Sequence, residues 1–324
     1  MIHDKKHLKY TAIPNEEMYW ERVNRSLGWL GDTKQEQHNK QEKLKNVVIG
    51  IAGTGGIGGQ FGMPIFKMLY HDDRFNIKAF VTTPEGKLCS YYINEDNPVD
   101  LEKYAESKDI PVFRPNNINS SKFIDELSDF NPDYILIANY QKIFKKNLIE
   151  LPKLKTLNFH PSPLPRYAGL APFFWMSLNG EKNTGVSCIE VTPEIDGGDI
   201  VLQRKVRLTG NENSLEVREK LFKASFSLFN DVLDLICQGP LKTHKQDMTK
   251  RDYHSNPSQE DKTITNNDTV SSALAKLKAC APGNAYVQIN DNVFKVNSVS
   301  WSQTSKAKLK LKDGRLSFFL ENTL

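Results

Sequence analysis

The sequence predicts an α/β protein with a doubly wound, mostly parallel sheet and a small C-terminal antiparallel β domain. Two patterns predict this fold. Between residues 46 and 210, short apolar runs alternate with stretches of helical periodicity, which is typical of a parallel sheet covered by helices on both faces. Near the C-terminus, apolar and polar residues alternate with period two around Asn290-Asp291 and Asp313-Gly314, which is typical of antiparallel strands.

The strands of the first sheet are expected where short runs rich in Val, Ile, Leu and Phe lie between turn residues. Such runs are apolar on both faces, as they are in the buried strands of a Rossmann-like sheet. They occupy residues 46–52, 75–83, 111–115, 132–140, 155–160, 184–192 and 200–208.

Helices are expected between these strands, and the clearest one covers residues 213–239. It opens with Asn213 and Glu216 in capping-box spacing, and Gly239 with Pro240 ends it. Shorter helices are expected at 59–73, 97–108, 120–131, where Ser120 or Ser121 is the N-cap, and 171–181.

Changes in composition divide the chain into four parts. The first part is polar but contains "EEMYWERVNRSLGWLG", whose apolar spacing suits an amphipathic helix. A second polar region, without a clear period, precedes the C-terminal strands and is interpreted as a linker. The expected parts are an N-terminal helical extension at 1–45, a catalytic domain at 46–240, a linker at 241–265 and a small β domain at 266–324.

The composition excludes several classes of protein. With 39% hydrophobic and 25% charged residues, the chain resembles an ordinary soluble globular protein, and its net charge of +4 does not require a nucleic-acid partner. The four cysteines form no CxxC pair, so we expect no disulfide framework, no metal site and a cytoplasmic location. No apolar run approaches the roughly 20 residues that span a bilayer, so no membrane association is expected.

The stretch "IGIAGTGGIGG" raises the question of a nucleotide site, because a G-x-G-x-x-G motif begins at Gly53 after a buried strand. A dinucleotide site also needs an acidic residue at the tip of the second strand, but that strand ends in Thr82 and Thr83. No Walker lysine follows the glycines. A structural turn is therefore favoured, and the alternative is that residues 53–59 cradle a phosphate of a bound substrate.

Residues 17–59 also resemble the opening of the ThiF/MoeB-type adenylyltransferases. The resemblance rests on "YWERVNRSLGWL" followed by a strand and the glycine motif. It implies an ATP-binding alternative, but the acidic and arginine residues and the catalytic cysteine of those enzymes are not found.

The chemistry is expected further along the chain, in "LNFHPSPLPRYAGLAPFFW". Asn158 and His160 lie two residues apart at the carboxyl end of a predicted strand, so they share one face at the edge where such sheets bind ligands. Asp196 follows in a glycine-flanked loop. Together these residues could bind an oxyanion, donate a proton and accept one. The residues alone leave open a structural histidine, a turn-capping asparagine and a solvated loop carboxylate.

At these positions the chain resembles the 10-formyltetrahydrofolate-dependent formyltransferases, which include methionyl-tRNA and amino-sugar N-formyltransferases. The resemblance covers about residues 47–210 and extends loosely to the C-terminal region, where it implies an OB-like domain. The family signature has four parts, and each part is found in this chain. They are Asn-x-His-Pro-Ser-x-Leu-Pro at 158–165, a glycine at Gly169, a Thr-Gly-Val strand at 184–186 and an Asp-x-Gly-Asp-Ile loop at 196–200.

This resemblance implies direct transfer of a formyl group from 10-formyltetrahydrofolate, the co-substrate, to an amine. His160 and Asn158 would stabilise the tetrahedral oxyanion, while Asp196 would keep His160 cationic and accept the amine proton. The pterin is expected between two loops, with Asn139, Tyr140, Gln141, Ile143, Pro193, Glu194 and Ile195 as the candidate binding residues.

The acceptor amine is less well defined. The short stretch "VTTPEGKLCSYYINEDNPVDL" lacks the basic insertion of the tRNA enzymes, which disfavours tRNA without excluding it. A small-molecule amine, such as an amino sugar nucleotide or a secondary-metabolite amine, is favoured. The alternatives are a methionyl-tRNA formyltransferase, a formyltetrahydrofolate hydrolase and a ThiF-like nucleotide-binding protein. A homodimer is one conceivable assembly.

Overall fold

The computed structural model of the chain describes most residues from Lys45 onward. The expected N-terminal helical extension, nearly all of the ThiF-like segment and most of the glycine motif lie outside the described residues, as does Gln141. The described ranges are 45–50, 57–84, 100–140, 142–280, 284–300 and 307–320.

The described residues contain every strand that the sequence predicts for the main sheet, at a similar position. Three further strands of two residues each, at 168–169, 253–254 and 263–264, were not predicted by the sequence. The first two pair with each other, and the third joins the C-terminal sheet. In chain order the strands are β1 (Lys45–Gly50), β2 (Phe75–Val81), β3 (Val112–Phe113), β4 (Tyr134–Ala138), β5 (Lys155–His160), β6 (Ala168–Gly169), β7 (Asn183–Glu190), β8 (Ile200–Arg207), β9 (Tyr253–His254), β10 (Thr263–Ile264), β11 (Tyr286–Ile289), β12 (Asn292–Ser300), β13 (Ala307–Lys310) and β14 (Arg315–Leu320).

The main sheet is mostly parallel, as predicted. Among the described strands its order is β3-β2-β1-β4-β5-β7-β8, and only the β5–β7 and β7–β8 pairs are antiparallel. The chain moves outward from β1 to β3 and then crosses to the other side of β1 with β4. The strand order therefore reverses beside β1 and β4, which is where open α/β sheets bind their ligands.

Helices lie on both faces of this sheet, as a doubly wound fold requires. Ser120, rather than Ser121, is the N-cap of its helix, because its hydroxyl accepts a hydrogen bond from the N–H of Phe123. Asn213 and Glu216 form the expected capping box. None of the helices in the described ranges is long and apolar enough to cross a membrane. The helices are α1 (Ile57–Tyr70), α2 (Leu101–Glu106), α3 (Ser121–Ser128), α4 (Lys146–Ile149), α5 (Pro172–Leu178), α6 (Ser214–Gln238), α7 (Gln259–Lys262) and α8 (Val270–Ala279).

Successive residues of the central strands face two different apolar layers. Val47 and Ile49 of β1 pack with α1, α2 and α6, whereas Val48 between them packs with α3. This period of two is the geometry of an extended strand. Both faces of the central strands are therefore buried, which leaves the ends of these strands as the place for polar chemistry.

The C-terminal unit combines a small sheet with a helix that the sequence did not predict. Five described strands lie in the order β10-β11-β12-β14-β13, and they are antiparallel except for the β10–β11 pair. Helix α8 packs on α5, where Phe174 and Ala273 share one apolar cluster. This helix leaves a weak signal in the sequence because small alanines form much of its apolar face. Its capping box joins Thr269 to Ser272, three residues later, where a capping box usually has Glu or Gln.

The segment 241–265, expected to be a linker, contacts the main sheet and the loop after β5. His244 and Ile200 exchange two backbone hydrogen bonds of 2.8 and 3.0 Å, and β9 pairs with β6. Such one- and two-residue pairings are too short to leave a period in the sequence, so the segment reads as irregular.

Candidate active site

A cavity opens at the carboxyl ends of β4 and β5, beside the point where the strand order reverses. Its volume is about 390 Å³, which is a size typical of small-molecule sites. The pairing of β4 with β5 sets Ile137 beside Asn158, and both residues line the cavity with His160. The register of the sheet therefore places the loop after β4 next to the end of β5.

The structure brings Asn158, His160 and Asp196 together at this cavity. Asp196 Oδ1 lies 3.6 Å from His160 Nδ1 and 3.5 Å from Asn158 Nδ2. The side chains of His160 and Asp196 are 8% and 11% exposed, so water screens their interaction only weakly. A single carboxylate oxygen thus faces both an amide donor and a ring nitrogen.

The contacts of His160 define which of its ring nitrogens exchanges a proton. Nε2 lies 3.1 Å from the carbonyl oxygen of Tyr167. Because a carbonyl can only accept, Nε2 carries a proton in this geometry. Nδ1 therefore faces Asp196 unprotonated in the neutral ring and protonated in the imidazolium cation. The ring gains or loses its second proton on the side of the carboxylate.

The loop that carries Asp196 is held in one conformation by close backbone contacts. Asp196 has a left-handed φ of 51°, and its Oδ2 accepts a hydrogen bond of 2.8 Å from the N–H of Gly169. A Cβ on Gly198 would lie 1.7 Å from the carbonyl oxygen of Glu190, so no larger residue fits there. Gln246 donates to the carbonyl oxygens of Asp196 and Gly198 at 2.8 and 2.7 Å. These contacts fix the position of the carboxylate.

The bridge between β6 and β9 supports the histidine side of the site. Asp252 accepts a hydrogen bond from the N–H of Tyr167, the residue whose carbonyl binds His160. The ring of His254 stacks on that of Tyr167, with centroids 5.4 Å apart. Gly169 has a φ of 92°, and a Cβ there would lie 2.2 Å from the carbonyl oxygen of His254. The glycine of the sequence motif therefore permits the close approach of β9.

The two loops predicted to hold the pterin face the same cavity. Ile143 is 64% and Ile195 is 40% exposed, which is typical of apolar surface that a ligand covers. Asn139 has a φ of 63°, and its buried Nδ2 finds no acceptor in the described part of the chain. Gln141 lies outside the described residues, and the other predicted binding residues all line the cavity: Asn139, Tyr140, Ile143, Pro193, Glu194 and Ile195.

An aromatic wall of the cavity was missed by sequence reasoning. Phe61 and Phe222 lie with their ring centroids 4.3 Å apart, and Phe173 packs edge-on against Phe222 at 5.7 Å. Tyr253, which is 52% exposed, also lines the cavity. In the sequence the phenylalanines cannot be distinguished from core positions of amphipathic helices, and Tyr253 lies in the expected linker.

Electrostatics favour neutral forms for two further buried groups near the site. Burial raises the pKa of Tyr140 to about 12, so its phenol stays protonated at neutral pH. Burial also raises the pKa of the Cys188 thiol, which removes it as a nucleophile. Within the described ranges, no group of three or more His, Cys, Asp and Glu side chains could hold a metal ion. The described residues thus offer hydrogen bonding and proton transfer.

An open α/β sheet with this polar set beside a largely apolar cavity is typical of an enzyme that binds a small co-substrate. The formyl transferase family matches residues 46–233, more than half of the chain, and the chain belongs to this family. Family members are enzymes that transfer formyl groups from formyltetrahydrofolate. The resemblance seen in the sequence is confirmed, whereas the ThiF-like similarity stays a prediction.

Individual relatives fall into two groups. The methionyl-tRNA formyltransferase of Lysinibacillus sphaericus is 29% identical over 249 residues, which cover 76% of this chain and 78% of the relative. An N-formyltransferase from Helicobacter canadensis, solved in complex with folinic acid and dTDP-3-aminofucose, has a similar fold (TM-score 0.58, 17% identity, 85% of this chain and 98% of that chain). The fold of the methionyl-tRNA formyltransferase from Clostridium thermocellum is also similar (TM-score 0.53, 17% identity, 86% of this chain and 98% of that chain).

Proposed function

We propose that the protein is an N-formyltransferase that moves a formyl group from 10-formyltetrahydrofolate to the amine of a small molecule. The observation that carries this proposal is the cavity in which Asn158, His160 and Asp196 meet two loops with exposed apolar residues. Family membership supports the formyl chemistry, and the folinic acid bound to the Helicobacter canadensis relative supports the folate.

The proposed reaction is a direct attack of the amine on the formyl carbon. A new C–N bond forms while the formyl oxygen becomes an oxyanion, which Asn158 Nδ2 and a protonated His160 Nδ1 stabilise. Asp196 keeps the histidine cationic and accepts the amine proton, directly or through water. The bond from the formyl carbon to N10 then breaks, and N10 takes up a proton. Because His160 Nε2 donates to the Tyr167 carbonyl, Nδ1 is the nitrogen assigned to the reacting atoms.

The pterin is proposed to lie between the loop after β4 and the loop that carries Asp196. Ile143 and Ile195 would cover its flat faces, and the unpaired Nδ2 of Asn139 would donate to one of its acceptors. The other residues proposed to bind the folate are Tyr140, Gln141, Pro193 and Glu194.

A small acceptor fits the charge of the cavity better than tRNA. Among the described lining residues, Lys142 is the only lysine or arginine, and it is accompanied by Glu194 and Asp196. Because a tRNA backbone presents many phosphates and a small acceptor presents few, the lack of an extended basic surface among the described lining residues disfavours tRNA more strongly. An amino sugar nucleotide is an acceptor of the proposed kind, and dTDP-3-aminofucose, bound to the Helicobacter canadensis relative, is one example.

Methionyl-tRNA is the second candidate acceptor. The methionyl-tRNA formyltransferase relatives support it, since they align with about three quarters of the chain. An exposed basic strip on the C-terminal sheet also supports it, because such a strip suits a phosphate backbone. The strip consists of Lys308, Lys310, Lys312 and Arg315.

The proposal is tested by mixing the protein with 10-formyltetrahydrofolate and measuring the release of tetrahydrofolate. Separate reactions contain a panel of nucleotide amino sugars, methionyl-tRNA, or no amine. We expect release that depends on a small amine and is lost in His160→Ala, since removal of one oxyanion donor lowers turnover by about 10²–10³.

Each of the other outcomes would indicate a different activity of this protein. Release only with methionyl-tRNA would replace the small amine by the second candidate. Release without any amine would indicate a hydrolase. Neither release nor binding of a stable folate analogue would reject the formyltransferase, and the glycine motif should then be tested with ATP.

A further inference from the structure

Helix α6 carries a buried arginine whose guanidinium is not paired with a carboxylate in the described part of the chain. Arg218 is 4% exposed, and its Nε and Nη1 make no hydrogen bond there. The nearby carboxylates are already engaged: Glu212 binds Lys220 at 2.6 Å, and Glu216 accepts from the N–H of Asn213. A buried charge without a partner is strongly unfavourable, so a ligand is expected to supply the missing anion.

The guanidinium of Arg218 lies beside the aromatic wall of the cavity. Its Cζ is 5.8 Å from the ring centroid of Phe222, which lines the cavity together with Phe61. Helices α1 and α6 run in the same direction. Phe61 contacts Phe222 in the first half of both helices, while Arg74, just beyond α1, binds Asp234 at 2.8 Å near the end of α6. Arg218 lies one helical turn before Phe222, and the start of α1 lies one turn before Phe61. Because the two helices are parallel, the start of α1 is therefore next to Arg218.

The local field at this position favours an anion. The N-termini of α1 and α6 lie at the same end of the helix pair. The first turn of α1 contains no acidic residue, and Glu216, the acidic residue in the first turn of α6, is engaged in the capping box with Asn213. Each helix N-terminus carries about half a positive charge. Arg218 adds a full positive charge in a place that excludes water, where an oxyanion would form two charge-assisted hydrogen bonds with the guanidinium.

We propose that Arg218 binds an anionic group of the acceptor, a phosphate or a carboxylate, next to the aromatic wall. The identity of this ligand as the acceptor rests on the proposed function. Folate is assigned to other lining residues of the cavity, at Ile143 and Ile195. The two substrates then approach the Asn158, His160 and Asp196 set from different parts of the cavity, and an acceptor that combines an amine with an anion is preferred over a neutral amine.

The test compares Arg218→Met, Arg218→Lys and the matched control Arg207→Met, whose arginine is exposed on β8. Thermal unfolding of the full chain is measured in chloride, in inorganic phosphate and in malonate at equal ionic strength, and the KM values for acceptor and folate are measured where turnover is found. We expect Arg218→Met to raise the KM for the acceptor about 10–100-fold, the value of a charged hydrogen bond, and to leave the KM for folate unchanged.

The thermal measurement is independent of turnover. Phosphate or malonate should raise the melting temperature of the wild type, of Arg218→Lys and of Arg207→Met, but not that of Arg218→Met. In chloride, Arg218→Met should be at least as stable as the wild type, because an unpaired buried charge has been removed. The anion that stabilises more strongly identifies the group as phosphate or carboxylate.

Two results would overturn the inference. One is an equal anion response in the wild type and in Arg218→Met. The other is a large loss of stability in Arg218→Met in chloride, which would make the arginine structural. A protein that transfers no formyl group but shows the Arg218-dependent anion response would overturn the proposed function and the assignment of the ligand as the acceptor, and would leave the anion site at Arg218 standing.

Discussion

Asp196 is the residue that joins the two halves of the site. Its Oδ1 faces both Asn158 and His160, and its Oδ2 accepts from the N–H of Gly169. The spacing at a strand end and in a glycine-flanked loop makes the carboxylate, the amide and the imidazole candidates, and the resemblance to the formyltransferases selects them. The sequence could not predict that the Tyr167 carbonyl orients the imidazole, since a backbone acceptor leaves no mark in the sequence.

Asp196→Asn tests the proposed role of this carboxylate. An amide cannot hold His160 cationic or accept a proton, so we expect kcat to fall by about 10²–10⁴, as for the loss of a general base. The KM for the folate should change little. Steady-state kinetics with the best acceptor measure both quantities.

Asp199 provides the matched control, because it lies in the same loop but does not line the cavity. Asp199→Asn should retain the activity of the wild type. If both variants lose activity equally, the effect belongs to the conformation of the loop and the assigned role of Asp196 is wrong.

At the scale of elements, the site depends on a segment that the sequence presents as a linker. Gln246 is 9% exposed and binds two carbonyls of the Asp196 loop, nearly fifty residues earlier in the chain. Arg251 binds the Ile195 carbonyl in the same loop at 2.6 Å. These contacts join side-chain donors to backbone acceptors, so neither periodicity nor motif predicts them. The central strands were predictable because each is a continuous apolar run with turn residues at both ends.

Gln246→Glu tests whether this segment positions the loop that carries Asp196. The substitution preserves the shape of the side chain but replaces the amide donor with a carboxylate that faces two carbonyl oxygens. We expect kcat to fall about tenfold or more, with a loss of stability of about 1–3 kcal/mol from the unsatisfied groups. Kinetics and chemical denaturation measure the two effects separately.

Gln238→Glu, at the exposed end of α6, is the control and should behave as the wild type. A Gln246 variant that loses stability but keeps its kcat would show that the glutamine is only structural.

At the scale of the whole molecule, helix α5 joins the catalytic unit to the C-terminal unit. Phe173 faces the cavity and packs on Phe222, whereas the next residue, Phe174, packs among side chains of the C-terminal unit such as Val287 and Leu316. The sequence predicts the helix and the C-terminal strands. It does not predict that they pack together, because α5 is apolar on nearly all sides and its composition cannot assign a face to each partner.

This division of α5 leads to opposite expectations for two neighbouring alanine substitutions. Phe174→Ala should destabilise the protein by about 3–5 kcal/mol, as a large cavity is created in a buried cluster, while the KM for the acceptor at a temperature where the protein is folded stays unchanged. Phe173→Ala removes part of the aromatic wall and should raise that KM. Thermal unfolding and steady-state kinetics on both variants measure the two effects. If Phe174→Ala raises the KM as much as Phe173→Ala does, the C-terminal unit contributes directly to acceptor binding and the assignment of the two faces of α5 is wrong.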